Sequence, residues 1–366
     1  MNKYNDEITN EQTNNLLDGA SGNFISLEND IDLIKKIAAD KNLPLDERIE
    51  AFEDIFESEV GDTSMVRARN LEREFGLRQI YLKFEGNNPS GTQKDRIAFA
   101  QVMDALRRGF DAITVATCGN YGVAVAFPSS LIGIKCIVFI PQNYHSKRLF
   151  EIEKYGAEII RVDGDYEMTV EASQKYAQDH EIYDANPGGA NTLLQLKSYG
   201  EISYEIYDEL RDAPSIVACP VSNGTTVAGI YKGFVSLFRR GKTSKLPRIV
   251  VGSSYKKNPI IQAFLSNKEK CEDLIPVRIK STQVNEALIN WHSIDGDYAL
   301  EAIRTSSGWA GNVSDKSLIK HSKLIRELEG LNVLPASCAG LVSLIESHNI
   351  KPLRNDRYVV VLTGRK

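Results

Sequence analysis

The sequence predicts an α/β protein of two domains, each a mostly parallel twisted sheet flanked by helices. Two observations carry that prediction. From Asp111 onward, short apolar runs alternate with helix-length runs across connections of a few residues, the pattern of parallel βαβ units. The chain has 366 residues, 42% of them hydrophobic and 25% charged, enough for two domains with ample cores.

Residues 1 to about 25 are rich in Asn, Asp, Glu and Thr and read as a mobile arm. Amphipathic helices are predicted from Ile31 to Asp40 and from Leu45 to Glu59, so residues 1–60 form an N-terminal arm with helices. The alternating run Ile80-Tyr-Leu-Lys-Phe84 predicts a strand with Ile80, Leu82 and Phe84 on one face. Asn88-Pro89 and Ser90-Gly91 punctuate a loop, and a helix follows from Ile97 to Leu106 with Gly109 placed to end it. The series continues with strands at Ala112 to Thr117, Cys136 to Pro141, Glu158 to Val162 and Ile182 to Asp184. Helices intervene at Val123 to Ile132, Lys147 to Tyr155 and Glu167 to His180. These elements build a small domain over residues 95–188.

A helix from Thr192 to Leu210 leads to a strand at Ser215 to Pro220, a helix at Thr225 to Arg240 and a strand at Arg248 to Gly252. Helices at Lys316 to Glu329 and Cys338 to His348 and a strand at Tyr358 to Leu362 complete a large domain of residues 61–94 plus 189–366. Open α/β sheets bind ligands at strand C-termini, so the site is expected in the cleft between the domains.

The net charge of −5 gives no electrostatic reason to expect nucleic acid or an anionic membrane as partner. No apolar run approaches a membrane span, and the N-terminus lacks a signal-peptide core, so a cytoplasmic location is expected. Five widely spaced cysteines without a Cys-x-x-Cys pair fit reduced thiols, and the five histidines show no ligand spacing. No metal site is expected.

Four stretches carry candidate chemistry. Lys94 falls near the buried N-terminus of a helix, where partial positive charge disfavours its ammonium and leaves an amine able to attack a carbonyl. The loop Val115-Ala-Thr-Cys-Gly-Asn-Tyr-Gly122 opens a helix with unpaired N–H groups that suit a carboxylate. In Cys219-Pro-Val-Ser-Asn-Gly-Thr-Thr-Val-Ala-Gly-Ile230, small residues between strand and helix let amides crowd around an anion. The fourth stretch, Val361-Leu-Thr-Gly364, ends a buried strand.

Asn88-Pro-Ser-Gly-Thr-Gln-Lys-Asp-Arg96 resembles the Asn-Pro-Thr-Gly-Ser-Phe-Lys-Asp-Arg signature of pyridoxal-phosphate enzymes with the tryptophan synthase β-subunit fold, or fold type II. Matching segments extend from about Gly61, where Ser64 replaces a usual proline, to Gly364. The resemblance implies pyridoxal 5′-phosphate (PLP) in the interdomain cleft, carried by Lys94 as a Schiff base, with Lys94 also the catalytic base. It implies that Ser222, Asn223, Gly224, Thr225 and Thr226 cradle the cofactor phosphate, that Asn120 meets the ring hydroxyl oxygen, and that Thr363 meets the pyridine nitrogen. Ser90, Thr117, Cys118, Gly119 and Tyr121 are then the candidate substrate contacts, although Tyr121 replaces the usual small or imidazole residue. The stretch Glu329 to Gly340 also resembles the family and reads as packing, with Leu334 where the pattern often has an acid.

The Gln-Lys-Asp-Arg form and the Pro-Val-x-Asn-Gly loop are most similar to threonine synthases, which convert O-phosphohomoserine to threonine. The arginine that threonine synthases carry after an Asn-Pro is absent behind Asn186-Pro187. The alternatives are a β-replacing or β-eliminating enzyme acting on serine, threonine, O-phosphoserine, O-acetylserine or diaminopropionate, and a catalytically silent binding protein of the same fold. A small amino acid is the expected ligand, and a second copy of the chain, as a homodimer, the expected partner.

Overall fold

The strands form two sheets in a computed structural model that describes residues 31–117, 119–144, 148–354 and 356–366. The predicted arm over residues 1 to about 25, Cys118 and the predicted helix start at Lys147 lie outside the described residues. The larger sheet contains β1 (Met65–Arg67), β2 (Ile80–Phe84), β7 (Ile216–Pro220), β8 (Arg248–Ser254), β9 (Trp309–Val313) and β10 (Tyr358–Leu362) in the order β1-β2-β10-β7-β8-β9. All its pairings are parallel except β1 with β2. The smaller sheet is parallel throughout, with β3 (Ala112–Ala116), β4 (Lys135–Pro141), β5 (Glu158–Val162) and β6 (Tyr183–Asp184) in the order β5-β4-β3-β6.

Residues 31–39 form α1, and α2 spans Leu45–Glu59. After α3 (Arg69–Phe75), the helices of the small sheet are α4 (Lys94–Arg107), α5 (Asn120–Leu131), α6 (Arg148–Lys154) and α7 (Tyr166–Asp179). The rest are α8 (Thr192–Leu210), α9 (Thr225–Arg239), α10 (Pro259–Leu265), α11 (Gly296–Thr305), α12 (Asp315–Glu329) and α13 (Ala339–Ile350). Strands β1 and β9 and helices α3, α10 and α11 are additions to the predicted elements. They are short or carry mixed polar residues, so their periodicity is weak.

Parallel sheets are covered on both faces, and β7 and β10 are buried along their whole length. Ile80, Leu82 and Phe84 do share one core, as their alternation predicts. On the opposite face of β2 Tyr81 is half-buried but Lys83 is fully buried, and its Nζ pairs with Glu205 of α8 at 2.5 Å. Where a proline is usual, Ser64 Oγ donates to Asn87 Oδ1 at 2.7 Å, and this bond braces the turn instead.

The last strand, β10, inserts between β2 and β7. Strand pairing therefore brings three chain-distant loops to one edge, those that follow β2, β7 and β10.

Candidate active site

Helix α4 begins at Lys94, ahead of the apolar run that predicted it, because its first polar residues are held inside the protein. The fully buried Asp95 accepts at Oδ2 from Ser90 N and Ser90 Oγ, both at 2.9 Å. Burial pushes its carboxyl up to about 7 against those bonds and the nearby Arg148 and Arg365. Arg96 binds Glu85 at 2.6 and 2.9 Å and Glu205 at 2.6 and 2.9 Å. With Lys83, this makes a balanced buried set of two cations and two carboxylates that fastens the start of α4 to β2 and α8.

The Lys94 side chain enters the cleft with part of its surface exposed. Burial lowers its amine to about 8, opposed by the Asp295 charge, and the helix N-terminus acts in the lowering direction. An amine in that range is partly neutral near neutral pH.

The loop after β10 closes the floor beneath it. Gln93 N donates to the Thr363 carbonyl at 3.0 Å, and Arg365 reaches the carbonyls of Gly86 and Pro89 at 3.2 and 3.1 Å. The Thr363 hydroxyl lines the cleft and shares a 3.1 Å hydrogen bond with Ser337.

After β3, Thr117 Oγ1 accepts from the N–H groups of Gly119 and Gly122 at 3.1 and 3.2 Å, which shapes the entry to α5. Asn120 lines the cleft, and its Oδ1 accepts from Arg148 Nε at 3.0 Å. The Tyr121 ring also lines the cleft, but its hydroxyl turns away, donating to the Ala185 carbonyl at 2.7 Å and accepting from Gln101. Ser90 and Gly119 lie outside the cleft lining. Ser90 is committed to Asp95, and its carbonyl accepts from Arg148 at 2.8 Å.

After β7, Gly224 sits at φ +100°, and a Cβ there would come within 2.6 Å of the Asp295 carbonyl oxygen, so only glycine fits. The Ser222 carbonyl accepts from Asn258 at 3.0 Å, and the Asn223 carbonyl accepts from Asp295 N at 3.1 Å. Among the described residues, no acceptor takes the main-chain N–H groups of residues 222–226. Unpaired amides at the start of α9 make an anion cradle of the kind a phosphate needs.

The resulting cleft is about 610 Å³, within the range of small-molecule sites. Lys94, Thr117, Asn120, Tyr121, Thr363 and residues 222–226 all line it. Sequence reasoning missed Arg148, Ser337 and Asp295, as well as the segment 276–291, which contributes residues to the cleft lining. In that segment Trp291 Nε1 donates to Asp165 Oδ2 at 3.1 Å. Arg148 lies in a helix with no motif, and Asp295 precedes α11, a helix the periodicity did not predict; only the fold gives either a role.

The family model described as pyridoxal-phosphate dependent enzyme matches residues 56–364. A threonine synthase of Methanocaldococcus jannaschii is 32% identical over 309 residues, covering 83% of this chain and 74% of that protein. One from Bacillus sp. is 29% identical, covering 83% and 82%. Among solved structures, maize serine racemase superposes with a TM-score of 0.72 at 17% identity, covering 87% of this chain and 92% of that one. Threonine deaminase isoform 2 from Solanum lycopersicum, in its processed form, superposes with a TM-score of 0.70 at 13% identity, covering 87% and 90%. The cradle of unpaired amides, the buried lysine with its lowered amine and the shared architecture agree with these relationships: the chain belongs to the pyridoxal-phosphate dependent enzymes and has their fold type II architecture.

Proposed function

We propose that this enzyme is a lyase of the threonine synthase kind, eliminating phosphate from the γ-carbon of O-phosphohomoserine and adding water at the β-carbon to give threonine. When bound, PLP supplies an aldehyde that joins amines and a conjugated ring that takes up negative charge from the α-carbon. Lys94 would carry the cofactor, and its amine, lowered to about 8, would serve as the base for the substrate's α-proton.

The amides of residues 222–226 hold the cofactor phosphate. Asn120 would meet the ring oxygen, and Thr363, steadied by Ser337, would offer a hydroxyl to the ring nitrogen. A neutral hydroxyl does little to keep that nitrogen protonated. The substrate carboxylate lies on the turn from Thr117 to the first residues of α5, with the Tyr121 ring as a side wall.

A dianionic leaving group needs a cationic partner. Among the described residues, Arg148 is the cation besides Lys94 that lines the cleft. It is held in place by Asn120, the Ser90 carbonyl and Glu151 at 2.6 Å. Its position supports the phosphate-bearing substrate although no arginine follows Asn186-Pro187. The observation that carries the reading is the meeting of Lys94, Thr363, the amide cradle and Arg148 in one cleft.

The test is turnover of PLP-loaded enzyme with each candidate amino acid. Threonine and inorganic phosphate in equal amounts from O-phosphohomoserine are the expected products. Ketobutyrate or pyruvate with ammonia from threonine, serine, O-phosphoserine, O-acetylserine or diaminopropionate, with O-phosphohomoserine inert, would assign a β-elimination instead.

A further inference from the structure

Asp295 is a buried carboxylate set directly behind the amide cradle. It is 2% exposed, and its Oδ2 accepts from Thr225 Oγ1 at 2.5 Å. Its main-chain N–H holds the Asn223 carbonyl, and its own carbonyl lies against Gly224. It therefore touches three consecutive residues of the loop assigned to the cofactor phosphate. Placing an acid behind an anion site is costly unless the acid can lose its charge.

We propose that Asp295 is a positioning residue for the cofactor phosphate: by taking up a proton it turns the Thr225 hydroxyl from a donor toward the carboxylate into a donor toward the phosphate. The inference rests on the reading that residues 222–226 hold that phosphate.

The argument is one of donor supply. A threonine hydroxyl has one proton to give, and both an ionised carboxylate and a phosphate dianion only accept. With Asp295 ionised, that proton is committed to Oδ2. The phosphate then meets oxygen lone pairs and a negative charge behind them. With Asp295 protonated, its own O–H donates to Thr225 Oγ1, and the threonine proton rotates to the phosphate. The incoming proton is drawn from solvent.

The surroundings favour this switch. Burial raises the Asp295 carboxyl, while hydrogen bonds from Thr225 and Thr192 and the Lys94 charge act the other way. From α9 and α8 it meets those hydroxyls, and from α4 the charge of Lys94. When Lys94 is neutral, the charge attraction favouring ionised Asp295 disappears and only the two hydroxyl hydrogen bonds remain, and a phosphate dianion raises the carboxyl further. By linkage, phosphate binding takes up a proton, and affinity falls as pH rises through the Asp295 titration.

Pyridoxine 5′-phosphate, which has no aldehyde to react with Lys94, isolates the effect. It is titrated into the full-length chain freed of cofactor, wild type and Asp295→Asn, from about pH 5 to about pH 9, with phosphate-free pyridoxine as control. The two proteins should bind alike at the acidic end, and the variant should bind about tenfold more tightly at the alkaline end, a difference of one unit of differential protonation. A ratio of dissociation constants that stays constant across pH overturns the role of Asp295. Pyridoxine binding as tightly as its phosphate overturns the cradle assignment beneath it. Should the variant not fold, calorimetry of a Lys94→Arg chain, whose charge is fixed so that the amine titrating near 8 takes up no proton, at about pH 7.5 in buffers of different ionisation enthalpy still decides. Net proton uptake is expected there, above the second ionisation of the phosphate near 6, and no uptake contradicts the proposal.

Discussion

The Lys94 ammonium nitrogen lies 5.2 Å from the centre of the Tyr121 ring, whose hydroxyl is buried on the far side against Ala185 and Gln101. Lys94 therefore rests against an aromatic face while that ring is pinned from behind. An aromatic face stabilises a cation by about 0.5–2 kcal/mol, so Tyr121 supports the amine that burial depresses.

Tyr121→Phe keeps the ring but leaves a buried amide and carbonyl short of a partner, at a cost of about 1–3 kcal/mol. Thermal unfolding should shift down while the Lys94 titration, read by pH-dependent amine labelling, stays in place. Tyr121→Leu should lower that titration as well. An equal titration shift in both variants would contradict the ring's role.

Lys94→Met should abolish turnover and raise the stability of the cofactor-free protein by about 1–3 kcal/mol near neutral pH, because a desolvated amine is removed. The sign follows from the folded value of about 8 against an ordinary 10.5. Between these values the unfolded chain binds the extra proton, so wild-type stability rises with pH across that window. The advantage of the variant is full below about 8 and gone above about 10.5. Denaturant titrations at a series of pH values measure it, and a pH-independent difference would count against the buried-amine description.

Burial alone would raise the Glu205 carboxyl, but Arg96 and Lys83 outweigh it and hold it down to about 2. Its contribution to stability is thus present above the ordinary value of 4.5 and lost as pH falls toward 2. Glu205→Gln leaves Arg96 and Lys83 partly unpaired and should cost about 3–5 kcal/mol at neutral pH. The penalty should shrink on acidification, and a loss that is the same at all pH values would contradict the ion-pair account.

Much of this was legible in the sequence. Ile80 to Phe84, Glu158 to Val162, Thr192 to Leu210 and Tyr358 to Leu362 have the predicted boundaries, since apolar runs and punctuation agree there. The four motif loops follow parallel strands; those after β2, β7 and β10 share one edge of the larger sheet, while the loop after β3 comes from the smaller sheet. Lys83 escaped notice because alternation marks it as outward, whereas the parallel sheet is covered on both sides. Ser337 sat in a stretch that read as packing, yet its hydroxyl faces Thr363. Asp295 and Trp291 act through partners far away in the chain, Thr225 and Asp165, and no local pattern encodes such pairings.

Asp165 both caps α7, accepting from Met168 N at 3.0 Å, and ties down Trp291 at the cleft lining. Asp165→Ala should cost about 1 kcal/mol through the lost cap and red-shift the emission of Trp291 as its ring gains solvent. The chain has two tryptophans, so subtracting the spectrum of a Trp291→Phe variant isolates the signal. Unchanged emission would mean that the setting of Trp291 does not depend on this contact.

The central claim is that the Lys94 amine carries the cofactor's aldehyde. Borohydride reduction of the PLP-loaded protein, followed by peptide mapping by mass spectrometry, tests it most directly. One pyridoxyl group per chain on Lys94, absent from Lys94→Met, is the predicted result; a label on another lysine, or none at all, would contradict the account.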